Sequence, residues 1–425
     1  MVFKVRFKST IKFNIHNVFF VELVLMRWMY YHVVWVVMLF GWLMVFMNRL
    51  VISPLLIPIM KELNLTYTEV SLLVTAYFYA YILMQIPAGY LGDKLGRKKV
   101  LIVGNAIWSF ASVFTGLAQS FLQIFGFRLV TGLGQGTYFG NDRPLIALNT
   151  PKEKMGFGQG LSLTGMCVGM ALGVGLGGYF AQNFGWRLTF AFFAVPAFII
   201  CFLVWKLIKE PKTDYSASQN SRSSFYAYSL VFRKRNFWLV SLAGFFSIFI
   251  FYFLITWTPA IFLDFGVKTL AEASVYSALF GFSGVPGLVI VGLVSDFFIR
   301  RGWGRKIVLM ITYFAGAFFM VLFALSLEGK FSLWFLVLTV FLIGFFLWGT
   351  YPIIYAVISE VAPHEVGGVA FGFSNTIMMI GAALSPWIGG LIRDLTGSFT
   401  LGVYMLSFLS AIAGLTVFLV KEEST

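Results

Sequence analysis

The chain has 425 residues, of which 59% are hydrophobic and only 11% are charged, and its formal net charge is +14. Because soluble domains carry about 25% charged residues, this composition excludes a soluble globular protein and indicates one embedded in a bilayer. The basic charge could suggest nucleic acid as a partner, but its distribution along the chain fits membrane topology better.

Residues 1–32 form a basic N-terminal arm in which lysine and arginine alternate with apolar residues. No small-residue cleavage site follows, so the arm does not match a signal peptide. Two interpretations stay open. The arm lies disordered or on a lipid surface, or translation begins at Met26 or Met29, directly before the first apolar run.

Twelve apolar runs follow, each close to the ~20 residues that cross a bilayer as a helix. They show no two-residue alternation, which argues against a β-barrel. We predict an N-terminal six-helix bundle over residues 33–207, a flexible cytoplasmic linker over 208–236, and a C-terminal six-helix bundle over 237–421. Spans 1 to 12 are predicted at 33–58, 68–91, 100–118, 121–148, 157–181, 187–207, 237–263, 271–295, 307–327, 331–359, 368–392 and 400–420.

The loops after spans 2, 4, 6 and 8 hold seventeen lysine and arginine residues, whereas the opposite set of loops holds five. By the positive-inside rule, the first set is cytoplasmic, and both termini are cytoplasmic as well. We expect a multi-pass protein of the cell membrane.

A charged turn occurs twice, as GYLGDKLGRKK at residues 89–99 and in looser form as GLVSDFFIRRGWGRK at residues 292–306. In the first copy, Asp93 can pair with Arg97 or accept hydrogen bonds from helix N-terminal amides. The two copies indicate two similar halves. Together with RLVTGLGQG at residues 128–136, they resemble the sequence signatures of the major facilitator superfamily.

Two arginines lie inside apolar spans. Arg128, Gln135 and Asp142 of span 4 are seven residues apart, so they share one helix face. Arg128 faces a translocation path or is held by backbone carbonyls of a neighbouring span. Arg49 lies in span 1, which contains no acidic residue, so an anionic substrate is the obvious counter-charge. On span 7, Tyr252 can close over a substrate from the second half.

Charged residues near the cytoplasmic ends predict a gate. Asp142 and Arg143 are expected near the turn of Asp93 and Arg97. A corresponding set in the second half is Asp296, Arg305 and Glu360. We predict that these two clusters hold the gate closed in one state and separate in the other. The alternative is that they are static charges at helix ends.

Residues 46–58 (FMNRLVISPLLIP), 80–93 (AYILMQIPAGYLGD) and 252–262 (YFLITWTPAIF), with the Ser-Pro of span 11, resemble the anion:cation symporter family of that superfamily. The resemblance implies an all-α fold of twelve transmembrane helices in two bundles, and transport of an organic anion such as a sugar acid. It implies that Arg49 and Arg128 hold the substrate carboxylate, and it adds Tyr81 and Asn375 to the site.

Two positions depart from that family. Asn48 and Gln135 stand where the family usually has Asp and Glu, which are thought to accept the driving proton. Because an amide does not titrate, three coupling modes stay open: facilitated transport or exchange, coupling through Asp142, or coupling to an unlike cation.

Other functions are less well supported. A transporter of uncharged or cationic compounds would need an acidic residue in the cavity, and a sensor with this fold would bind without transporting. We expect no enzymatic activity, cofactor or metal, because no paired acids, Ser with His or metal-ligand cluster occurs at membrane depth. The expected partners are a small anionic substrate, the bilayer and, where transport is coupled, a co- or counter-transported ion. We expect no nucleic acid partner, and we expect the protein to be a monomer.

Overall fold

The computed structural model describes residues 29–151, 154–210, 232–329, 331–361 and 367–420. All regular secondary structure in these residues is helical. The proposed start at Met26 and the centre of the linker lie outside them. The helices are α1 (Tyr30–Leu50), α2 (Ile52–Leu63), α3 (Tyr67–Leu95), α4 (Arg97–Leu117), α5 (Phe121–Asn149), α6 (Met155–Leu207), α7 (Arg235–Phe265), α8 (Leu270–Phe282), α9 (Gly284–Arg300), α10 (Arg305–Glu328), α11 (Leu333–Val361), α12 (Gly367–Thr396) and α13 (Thr400–Phe418).

These helices make twelve membrane spans. Helices α1 and α2 form span 1, and α8 and α9 form span 8. Helix α6 contains spans 5 and 6, which the sequence separates by a loop. Only Gly185 leaves the helical conformation there (φ 78°, ψ 159°), because glycine tolerates a positive φ. By length and hydropathy alone, ten stretches of the described residues qualify as spans, because α6 counts once and α5 is too polar.

The spans form two six-helix bundles, the first made of α1–α6 and the second of α7–α13. In the first, α1 packs on α6, and α5 packs on α3 and α4; in the second, α7 packs on α12, and α10 packs on α11 and α13. Across the two bundles, α3 packs on α12 and α6 on α8. Gly165, Gly169 and Gly173 of α6 lie directly against backbone atoms of α1, so a side chain there would collide with that helix.

We call the end of the molecule with the loops after α3, α5, α6 and α9 the basic end. Hydrogen bonds to helix N-termini connect the two bundles at the other end. At the opposite end, the carboxylate of Asp394 accepts hydrogen bonds from the backbone nitrogens of Tyr67 (3.1 Å) and Thr68 (2.7 Å), which begin α3. Likewise, the side chain of Gln182 accepts from the backbone nitrogen of Ala271 at the start of α8 (2.9 Å). Each bundle therefore caps a helix of the other.

At the basic end, the ion pairs of the described residues stay within their own bundles. Asp93 pairs with Arg97 in the first bundle, and Asp296 pairs with Arg305 in the second (2.9 Å). The described hydrogen bonds between the bundles lie at the opposite end or near the centre, except that of Asn375 with Gln85, which lies between the centre and the basic end. The structure is therefore held closed at the opposite end.

We predict that Asp394→Asn loosens this closure. Hydrogen bonds to a charged acceptor are worth about 1 kcal/mol more than bonds to a neutral one, so opening should increase roughly fivefold. Ser274 of α8 is buried against Gly178, so a cysteine at this position becomes accessible only when the end opens. The reporter is therefore Ser274→Cys in a variant whose two native cysteines, Cys167 and Cys201, are replaced. The measurement is its rate of labelling by a membrane-impermeant maleimide.

The control is Glu328→Gln, because Glu328 accepts from Tyr404 within the second bundle (3.1 Å) and so does not join the halves. Equal labelling rates in Asp394→Asn and the unmodified reporter would contradict the role of this cap.

Candidate functional site

Arg49 lies where the two bundles meet, in the last turn of α1, and is only 3% exposed. Its guanidinium carbon lies 4.5, 5.2 and 4.7 Å from the ring centroids of Phe46, Tyr77 and Tyr81. One nitrogen, Nη1, donates to the hydroxyl of Tyr252 in the second bundle (3.4 Å). Another, Nη2, is buried without a hydrogen-bond partner. Arg49 therefore connects the bundles and retains an unused donor.

Arg128 of α5 is 1% exposed and approaches the same aromatic residue. Its guanidinium carbon lies 5.0 Å from the centroid of the Tyr77 ring. Its Nε donates to the backbone carbonyl of Leu73 on α3 (3.2 Å), as expected if Arg128 is held by backbone carbonyls of a neighbouring span. However, its Nη2 is buried and has no hydrogen-bond partner. The backbone contact thus orients the guanidinium without satisfying it.

Asn48 and Gln135, the two positions that depart from the symporter family, contact each other. Gln135 Nε2 donates to Asn48 Oδ1 (3.3 Å), and Asn48 Nδ2 donates to Ser112 Oγ (2.9 Å). Gln135 Oε1 accepts from the hydroxyl of Tyr77 (2.7 Å) and from Arg49 Nε (3.4 Å). This network is neutral, so it orients Arg49 without cancelling its charge.

No ion pair among the described residues includes Arg49 or Arg128. Asp142, further along α5, is fully buried, and its Oδ2 accepts from Trp42 Nε1 (2.6 Å) and from Arg143. Isolated charges are costly to bury, and a buried guanidinium normally has an anionic partner. The two arginines therefore carry positive charge that no described residue neutralises.

The other expected site residues are divided between two places. Tyr81 and Tyr252 contact Arg49. Asn375 of α12 donates to Gln85 of α3 (3.1 Å) and accepts from Tyr355 (3.1 Å), so it joins the bundles without contacting either arginine in the described structure.

The expected cluster of charges at the basic end forms two separate networks in the first bundle. Arg97 pairs with Asp93 and donates to the carbonyl of Gly140 on α5 (3.0 Å).

Asp142 does not join that turn, because it is held by Trp42 and Arg143. Arg143 in turn donates to the side chains of Gln159 (2.8 Å) and Ser162 (2.6 Å) on α6. In the second bundle, the side chain of Glu360 lies outside the described residues.

Sequence reasoning missed Tyr77, although this residue contacts both arginines and Gln135. Its spacing gave a signal, because Tyr77 lies four residues before Tyr81 and therefore on the same face of α3. It also missed Ser112, and no local pattern marks that serine, because its contact with Asn48 joins residues 64 positions apart.

The family comparison agrees with this architecture. The sequence matches the Major Facilitator Superfamily over residues 38–386 and again over 297–425. The chain therefore belongs to the major facilitator superfamily, whose members are transporters and not enzymes.

Individual relatives share only a low sequence identity with the chain. The chain is 26% identical over 393 residues to a probable sulfoacetate transporter of Cupriavidus necator, covering 87% of this chain and 89% of that one. It is 25% identical to a hexuronate transporter of Bacillus subtilis, covering 85% and 86%. Among solved structures, a bacterial homologue of the human lysosomal transporter Spinster, inward-facing and occupied, aligns with a TM-score of 0.74, 20% identity and coverage of 91% and 96%.

We predict that Tyr77→Leu destabilises the protein more than Tyr77→Phe does. Phenylalanine keeps the ring beside both guanidinium groups and loses only the bond to Gln135, which should cost about 0.5–1.5 kcal/mol. Leucine also removes the cation–π contacts, each worth about 0.5–2 kcal/mol. Thermal unfolding of the purified variants in detergent measures the difference. Equal melting temperatures for the two variants would show that the ring does not stabilise the arginines.

Proposed function

We propose that the protein is a secondary transporter of a small organic anion, such as a sugar acid or another carboxylate. The observation behind this proposal is the pair of buried guanidinium groups that have no acidic partner and keep two unused donors between the bundles. In this proposal, the bundles rock about the site and expose it to each side of the membrane in turn.

An anion suits these arginines because a guanidinium can bind a carboxylate through two parallel hydrogen bonds. Tyr81 and Tyr252 would contact the substrate from the two bundles, since both already contact Arg49. Asn48 and Gln135 would orient Arg49, and Asn375 would contribute from the second bundle. The names of the relatives from Cupriavidus necator and Bacillus subtilis, which concern sulfoacetate and hexuronate, favour the same class of substrate.

The orientation follows from the basic loops. We place the basic end and both termini in the cytoplasm of a cell whose plasma membrane holds the protein, as a monomer. The closure at the opposite end would then belong to a state that is closed to the outside of the cell. In the outward-facing state, the networks of Asp93 with Arg97, Asp142 with Arg143, and Asp296 with Arg305 and Glu360 would hold the cytoplasmic gate.

Two other functions have less support. An exporter or exchanger of cationic compounds would need an acid beside the site, and no described ion pair or hydrogen bond brings one to either arginine. A sensor with the same fold would bind an anion without moving it. Uptake into liposomes separates the sensor from the transporter.

We predict that Arg49→Gln and Arg128→Gln each weaken binding of a carboxylate substrate about 10- to 150-fold. This range corresponds to the loss of charged hydrogen bonds worth about 1.5–3 kcal/mol. Calorimetric titration of the purified protein with sulfoacetate and with glucuronate measures the affinities, and proteoliposome uptake measures transport.

The matched control is Arg187→Gln, because this arginine pairs with Glu62 at the opposite end of the molecule, away from the site. We expect its affinity to equal that of the unmodified protein. Unchanged affinity in both site variants would place the anion elsewhere.

A further inference from the structure

We propose that the site selects organic dianions and that the protein works mainly as an exchanger, which swaps one dianion for another. This inference rests on the function proposed above and specifies the charge of the cargo and the mode of transport. It follows from the number of charges and donors that the site leaves unsatisfied.

The two arginines each leave one donor unused. Nη2 of Arg49 and Nη2 of Arg128 are both buried without a hydrogen-bond partner, and both guanidinium groups contact the ring of Tyr77. A molecule with two anionic groups can accept from both donors. A molecule with one carboxylate that binds one arginine leaves the other buried donor unpaired, which is unfavourable.

The charge of the site leads to the same conclusion. The side chains that the described contacts place against Arg49 and Arg128 are aromatic rings, hydroxyls and amides, and all of them are neutral. The empty site therefore carries two positive charges. A monoanion reduces this to one, whereas a dianion neutralises it.

Net charge determines how easily the site can pass from one side of the membrane to the other. During that passage, the site is closed to water, and here both arginines are already at most 3% exposed. Charges without a counter-charge are most costly in such a dry environment. We therefore expect the loaded carrier to reorient quickly and the empty carrier slowly, so that a carrier that has released its cargo returns mainly with another dianion.

The two amides maintain this difference between the loaded and empty carrier. A carboxylate at position 48 or 135 would add one negative charge to the two positive charges of the empty site. The empty carrier would then reorient across the membrane more easily. Asn48 and Gln135 cannot supply that charge at any pH. Asp142 does not supply it either, since its Oδ2 is engaged by Trp42 and Arg143.

The experiment uses the purified protein in liposomes and two sugar acids with six carbons. Glucarate is a dianion, and glucuronate is the corresponding monoanion. We compare the initial uptake of labelled glucarate into liposomes preloaded with unlabelled glucarate and into liposomes without it, with the membrane potential clamped. We expect uptake into preloaded liposomes to be at least about tenfold faster, which corresponds to ~1.4 kcal/mol in the barrier. We also expect glucarate to compete better than glucuronate.

Gln135→Glu and Asn48→Asp test the charge argument, each with a side chain of nearly unchanged size. Both should bring the ratio of preloaded to empty uptake closer to one and shift the preference towards glucuronate. The control is Asn105→Asp, because Asn105 is a buried amide that contacts Trp108 and neither arginine. We expect its ratio to match that of the unmodified protein.

The outcomes separate this inference from the proposed function. Rapid uptake that is equal in preloaded and empty liposomes overturns the exchange mechanism and leaves anion transport standing. Equal competition by glucuronate and glucarate overturns the preference for dianions. If no anion is taken up under either condition, the proposed transport function itself fails. The ratio in the unmodified protein decides the question even if an acidic variant does not fold.

Discussion

The ring of Tyr77 lies beside two guanidinium groups whose charges nothing in the described structure neutralises, and the organisation of the site depends on this arrangement. An aromatic face attracts a cation, so the ring lowers the cost of burying Arg49 and Arg128 without cancelling their charge. Gln135 Oε1 accepts from both the Tyr77 hydroxyl and Arg49 Nε, so the amide network fixes the ring and one guanidinium together. The remaining positive charge is available for a ligand.

The two bundles also form hydrogen bonds with each other at and near the site. Arg49 reaches Tyr252 across the interface, and Gln85 reaches Asn375. These neutral or singly charged bonds are few, whereas the opposite end is held by a carboxylate on the start of a helix and by packed aromatic residues such as Tyr67 and Trp257. A ligand that binds Arg49 therefore acts on one of the few polar connections that the described residues make between the halves away from the opposite end.

Sequence alone predicted the fold class and the twelve spans, because apolar length and the distribution of basic loops are local properties. It placed a loop between spans 5 and 6 where only Gly185 interrupts the helix, since composition does not reveal that a single residue can make the turn. The positions of Arg49 and Arg128 were informative because charge at membrane depth is costly. The bond between Asn48 and Gln135, 87 residues apart, and the turning of Asp142 towards Trp42 depend on packing, which no local pattern encodes.

The two reciprocal helix caps have a consequence for how the opposite end separates. Thr66 and Glu69 at the start of α3 have counterparts in Thr269 and Glu272 at the start of α8. The contact of α3 with α12 and the contact of α6 with α8 therefore share the same arrangement. They differ in strength, because α3 receives the full negative charge of Asp394, whereas α8 receives only the neutral amide of Gln182. Because the two connections differ in strength, we expect the contact between α6 and α8 to separate before the contact between α3 and α12, which Asp394 holds for longer.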